Sequence, residues 1–110
     1  MISVSNYDRD SDSLIVSVIE DNEKVRNNFS FDNFVISLTD EGKIVSLEIR
    51  DFSVFAEEMG LNINELIPKL DNLTLVVKPK KELLYIGVGY KDDTKRRIPI
   101  MNIPIQSIKN

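Results

Sequence analysis

The sequence has no cysteine and no histidine in its 110 residues. Without cysteine there is no disulfide framework, no thiolate metal ligand and no cysteine nucleophile. Without histidine the commonest general base and the commonest transition-metal ligand are missing. Activation of a nucleophile by a Ser–His or Cys–His pair is excluded by composition. Asp, Glu, Lys and Tyr are left to carry any proton chemistry, so a non-enzymatic protein without a cofactor is expected. No apolar run approaches the roughly 20 residues that span a bilayer. The opening segment MISVSNYDRD lacks a basic stretch followed by an apolar one, so no signal peptide is read. These absences point to a cytoplasmic protein that makes no membrane contact.

What is present fits one ordinary domain over residues 1–110, with 42% hydrophobic and 29% charged residues. The formal net charge of −4 is unevenly spread. Residues 1–72 hold 6 Lys+Arg and 15 Asp+Glu, whereas residues 73–110 hold 8 and 3. An acidic first part and a basic second part are a possible partner signal.

The first half reads as short strands. SLIVSVI (13–19) sets Leu14, Val16 and Val18 on one face, and EDNEK after it is a turn. KVRNNFSF (24–31) is a polar edge strand, and NFVISLT (33–39) alternates as a half-buried one. DEG (40–42) supplies a hairpin turn in which Gly42 takes positive φ. KIVSLEIR (43–50) then points Val45, Leu47 and Ile49 one way. The period changes after Arg50. Phe52, Phe55, Ala56 and Met59 form a helical apolar stripe that Asp51 or Ser53 can cap and Gly60 can end. Asn62 as N-cap, with Glu65 three residues on and Leu61 facing Leu66, marks a second helix that Pro68 keeps short. Strands return with NLTLVVK (72–78), a turn at PKK (79–81), ELLYIGVGY (82–90), a turn at KDDTK (91–95), and RRIPIMNI (96–103). Pro99 demands an edge or a bulge. Residues 2–29 and 73–100 share a strand–turn–strand rhythm, which a common β-meander explains as well as a duplication does.

Three motifs invite chemistry. Asp8, Asp10 and Asp12 alternate as in a calcium loop, which also needs Gly at its sixth and Glu at its twelfth position. Those positions here are Ser13 and Ile19, and a strand follows instead of a helix. A hairpin turn with carboxylates bonding nearby backbone N–H groups is the preferred reading. Gly87-Val88-Gly89 lacks the third glycine and following helix of a phosphate loop, so a bulge or close backbone approach is preferred. Lys78, Lys80, Lys81, Lys91, Lys95, Arg96 and Arg97 can form a basic patch near Tyr85 and Tyr90, a pattern that suits phosphate contacts and base stacking. The acidic pI of about 4.8 and the lack of a nucleic-acid motif argue against it. Lysines in turns and edges also deter strand-to-strand aggregation.

YDRDSDSLIVSV and FVISLTDEGKIVSLEIRDFS resemble the family called domain of unknown function 2283 over about residues 4–55. The matching positions are Tyr7, Asp8, Asp12, Leu14, Asp40, Gly42, Lys43, Val45, Leu47, Glu48, Ile49 and Ser53. The resemblance implies a small β-meander ending in a helix and no known activity; some members are thought to be partners of small toxins. It also implies a cross-strand or turn-supporting contact for Glu48. Residues 72–103 would add a further β-meander.

The expected fold is α+β: antiparallel β-meander sheets, or one twisted sheet holding strands of both halves, with two short helices in the middle of the chain. Strands 72–78 and 82–90 are apolar on both faces, more than two short helices can cover. Another sheet or another subunit must then cover the rest. The preferred function is a protein–protein interaction module that self-associates as a dimer, with room for an unidentified protein partner. The alternatives are nucleic-acid or anion binding through the patch of Lys78, Lys80, Lys81, Lys95, Arg96 and Arg97, and a carboxylate-dependent metal enzyme.

Overall fold

The protein is described from a computed structural model, over residues 1–105. It is an α+β fold with two antiparallel sheets and two short central helices. The first half gives β1 (Ile2–Asp8), β2 (Ser13–Ile19), β3 (Asn27–Phe31), β4 (Phe34–Leu38) and β5 (Ile44–Ile49). Helices α1 (Phe52–Glu58) and α2 (Ile63–Leu66) follow, then a 3-10 turn over Ile67–Lys69. β6 (Leu73–Lys80), β7 (Leu83–Tyr90) and β8 (Asp93–Pro104) complete the described chain.

The strands do not share one sheet. Five lie in the order β1-β2-β5-β4-β3, and three in the order β6-β7-β8. In the first sheet β2 pairs with β5 instead of β3, because that register lines apolar positions into rows. Val16 faces Leu47, which faces Ile36; Leu14 faces Ile49, which faces Phe34. In the second sheet Leu75, Val88 and Ile98 form one such row, and Val77, Ile86 and Met101 another. These inner faces meet. One hydrophobic cluster takes Leu14, Val16, Ile36 and Leu47 from the first sheet and Ile86, Val88 and Ile98 from the second. The second sheet therefore provides cover that two short helices do not supply. A bulge opposite Ser37 and Leu38 adds one residue to β5, so Ile44 joins the cluster while Val45 is buried outside it.

Phe52, Ala56, Leu66 and Leu70 bring the connecting segment into the same cluster. Met59, the last member of the expected stripe, is exposed at the C-cap. Helix α1 ends where Gly60 takes φ of 73°: its N–H bonds the carbonyl of Glu57, and Leu61 N–H bonds that of Ala56. Asn62 caps α2 by accepting from Asn64 N–H at 3.0 Å. Pro68 lies in the 3-10 turn that succeeds it.

The last two turns are tighter than the sequence suggests. Pro79 and Lys80 pair with β7, leaving Lys81 and Glu82 as the turn, with Lys81 at φ of 55°. Lys91 and Asp92 form the next turn. Pro99 stands on an edge strand and beside a bulge, since Gly87 pairs with Pro99 but Ile86 with Met101. Both proline constraints are met together: no ladder donor is needed and the extra residue is accommodated.

Candidate functional site

The aspartate-rich segment forms the β1–β2 turn. Asp8 Oδ1 accepts from Asp10 N–H at 2.9 Å, the local bond expected of a short carboxylate in a turn. Asp12 does something else. Its φ of 54° turns the chain into β2, and its carbonyl accepts from Phe52 N–H at 2.9 Å. Its carboxylate accepts from Tyr7 Oη at 2.5 Å, from Ser53 Oγ at 2.6 Å and from Ser53 N–H at 3.1 Å. The start of α1 is thus capped by a residue 41 positions away. Asp51 occupies the N-cap position but makes no side-chain cap. Sequence reading places the cap on Asp51 or Ser53 because a local donor–acceptor pair is all that spacing reveals. The one available signal was Tyr7 and Asp12 bracketing the polar β1–β2 turn.

Electrostatics make this cluster a latch. Burial pushes the Asp12 carboxyl up, but bonds from the Ser53 hydroxyl, the Tyr7 hydroxyl and the Ser53 amide outweigh it and hold the group below its ordinary value. The hydrogen bond to Asp12, together with burial and the adjacent negative charge, pushes Tyr7 up to about 12. Near neutrality Asp12 stays ionised and Tyr7 stays protonated. A general acid or base works best with a pKa near the operating pH, and both groups are moved away from it. The Tyr7 ring also packs edge-on to Phe52, with centroids 5.7 Å apart, tying the same strand to the same helix.

The three aspartates do not converge on a common point, since Asp12 is directed at Tyr7 and Ser53 and Asp8 at its own turn. No group of three or more metal-ligating side chains occurs among the described residues. Glu48 accepts at 2.8 Å from Nε of Arg50, just past the end of β5, with Ile15 and Val35 as its cross-strand neighbours.

The basic residues fall into two groups. Lys78, Lys80 and Lys81 lie toward the β6–β7 turn. Lys95, Arg96 and Arg97 lie toward the β7–β8 turn at the other end of the sheet. Lys80 pairs with Leu83 and Arg97 with Gly89, a separation of about 20 Å along β7. Each group is bound to an aromatic ring. Lys80 Nζ lies 4.8 Å from the Tyr85 ring centre, and Arg96 Cζ lies 5.0 Å from that of Tyr90. Tyr90 is buried, so of the two tyrosines expected to stack bases it is structural.

A cleft of about 320 Å³ lies between α1 and the β3–β4 turn, lined by Asp32, Phe34, Val54, Phe55 and Glu58 among others. A second one of about 380 Å³, lined by polar and charged residues, lies beside the Arg26–Asp40 ion pair. Neither gathers a nucleophile with a base.

The outer corner of the first sheet is apolar. Ile2 and Val4 on β1 are 54% and 42% exposed. Ile2 pairs with the half-buried Ile19, and Ile15 lies two rows along β2 on the same face. No protein-family model, curated protein or solved structure matches the chain. No helix among the described residues is long and apolar enough to cross a membrane.

Proposed function

We propose that the protein is a non-enzymatic interaction module that self-associates as a homodimer. The observation that carries this is the apolar corner of Ile2, Val4, Ile15 and Ile19. The inner faces of both sheets cover each other, yet this corner has no cover within the described residues. Two-fold association is the commonest way for a small domain to bury such a patch. The absence of histidine and cysteine, and the Tyr7–Asp12 pair tuned away from neutrality, support the non-enzymatic part. Light scattering coupled to gel filtration tests the proposal: a dimer mass is expected, and a monomer persisting at high protein concentration refutes it.

Anion or nucleic-acid binding is the second reading. It rests on Lys78, Lys80 and Lys81 gathered with the half-buried Tyr85 at one tip of the second sheet. It requires binding of a single-stranded oligonucleotide that weakens steeply with salt. No anisotropy change at low salt removes it. The likeness of residues 4–55 to domain of unknown function 2283 is a proposal of kinship on residue pattern. Tyr7, Asp12 and Ser53 belong to that pattern and meet in one hydrogen-bonded cluster, a physical reason for the three to occur together. A structure of a member in which these residues lie apart would count against it.

A further inference from the structure

We infer that two copies join edge to edge through β1, antiparallel about a two-fold axis, into one continuous ten-stranded sheet. This rests on the self-association proposed above and names its surface.

The two sheets have four edge strands: β1, β3, β6 and β8. An edge strand offers unpaired backbone groups to any other chain, and proteins blunt such edges with charge, proline or bulges. β6 carries Lys78, Pro79 and Lys80, all exposed. β8 carries Arg96, Arg97, Pro99 and Pro104, and its register shifts twice. β1 has one such charge, Asp8 at its last position, and none before it. It runs Ile-Ser-Val-Ser-Asn-Tyr from Ile2 to Tyr7 without a charge or a proline, and its register with β2 is unbroken over seven pairs. Among the described residues its backbone makes no backbone hydrogen bond except those to β2. Ser5 Oγ donates to the carbonyl of Leu70 and accepts from Leu73 N–H, which fixes the strand from its inner face and leaves the edge open.

The occupant is a second copy because β1 is self-complementary about a two-fold axis through Val4, which opposes Val4 to itself, Ser3 to Ser5 and Ile2 to Asn6. For β6 a pairing about its centre sets Leu73 against Lys80 and Leu75 against Lys78, a charge opposite an apolar side chain in each case. For β1 an axis through Val4 opposes no charged side chain between Ile2 and Asn6, whereas an axis through Ser5 would set Ile2 against Asp8 of the partner subunit. On the outer face this Val4-centred pairing sets Val4 against Val4 and joins Ile2 and Ile19 of one copy in a row with Asn6 and Ile15 of the other, so one event satisfies edge and patch. β3 is also uncharged, but it is five residues long and begins with two asparagines, which are poor strand formers.

The test compares the wild type with Val4→Lys, Ser30→Lys and Leu83→Lys, each at an exposed position: on β1, on β3 and on the second sheet. Light scattering is expected to give a wild-type dimer, a dissociation constant raised at least about 100-fold in Val4→Lys, and unchanged dimers in the other two. Circular dichroism of Val4→Lys should match the wild type. A dimer that survives Val4→Lys overturns the β1 edge while leaving self-association standing. A wild-type monomer, or a mass that grows beyond a dimer, overturns both. Because the chain lacks cysteine, Asn6→Cys gives one labelling site per copy for a second readout. Spin labels there should lie within about 20 Å of each other, and a distribution centred beyond 40 Å overturns the edge.

Discussion

The two sheets solve the same problem with different means. Each has a buried inner face and an outer face, and each ends in two edges. The three-stranded sheet protects its edges with lysines, arginines, prolines and bulges. The five-stranded sheet leaves β1 plain and sits in the acidic part of the chain. Their turns differ likewise. Asp12 and Asp32 take positive φ in the first sheet, where short polar side chains tolerate it, while Lys81 does so in the second. An all-antiparallel protein thus need not treat every edge alike; where protection is missing, pairing is the physical consequence to look for.

The comparison breaks most severely if the two sheets do not unfold together. Leu47 is fully buried at the centre of one sheet and Ile86 at the centre of the other, and both belong to the same cluster. Leu47→Ala and Ile86→Ala should each destabilise by about 2–5 kcal/mol. Urea unfolding followed by circular dichroism and by tyrosine fluorescence should show one coincident transition in both variants. Two transitions, each sensitive to one substitution only, would show that the sheets are separate folding units.

The next effect lies in the latch, which only the first sheet has. Asp12→Ala removes the acceptor for Tyr7, Ser53 Oγ and Ser53 N–H and should lower stability by about 2 kcal/mol. A carboxyl held below its ordinary 3.8 contributes fully above that pH and loses its contribution as pH falls through its folded value. Asp12→Ala should therefore flatten the stability profile below about pH 4. Tyr7 works in the opposite direction. Its contribution is complete below its ordinary 10 and fades as pH rises toward about 12, so Tyr7→Phe should flatten the alkaline limb. Profiles of either variant that parallel the wild type in these windows would show that the cluster does not act through charge.

A smaller effect marks the second sheet. A Cβ on Gly87 would lie 2.6 Å from Tyr85 Oη and 2.9 Å from the Ile98 carbonyl oxygen. The tyrosine can swing aside, but the carbonyl belongs to the paired strand β8. Gly87→Ala should destabilise by about 1–2 kcal/mol, and adding Tyr85→Ala should restore only part of that. Thermal unfolding of the single and double variants measures it. Full recovery in the double variant would mean that the side chain alone sets the constraint.

Local pattern made much of this fold legible. Alternation located strands from residue 13 onward, while β1 showed only in the strand–turn–strand rhythm of residues 2–29; the change of period after Arg50 located α1, and Gly42, Gly60, Asn62 and Pro99 stand where turn, stop, cap and bulge require them. What remained illegible is non-local. Nothing in the spacing says that β2 will choose β5, since Leu14 and Val16 match any apolar row equally well. Nor does it say that Asp12 will cap a helix 41 residues on. The basic residues looked like one patch because sequence distance hides strand direction: the turns on either side of β7 lie at opposite ends of it. The plain edge of β1 was readable as an uncharged run, but its importance depends on which strands end up inside.

The smallest effect concerns the aspartates that most resemble a metal site. Calcium needs several oxygens directed at one point, usually with a bidentate carboxylate among them. Asp12 is committed to Tyr7 and Ser53, Asp8 is turned back on Asp10 N–H, and Asp10 is exposed. Moving Asp12 onto an ion would uncap α1 and forfeit the latch. Asp10→Ala should therefore change stability by less than about 0.5 kcal/mol, with no difference between buffers with and without calcium. Calorimetric titration of the wild type with calcium and with manganese should show no saturable heat at micromolar concentration. A saturable site that disappears in Asp10→Ala would mean that the turn rearranges around an ion. Asp12→Ala unfolding would then weaken its response to calcium as well, because the same carboxylate cannot serve the helix and the metal at once.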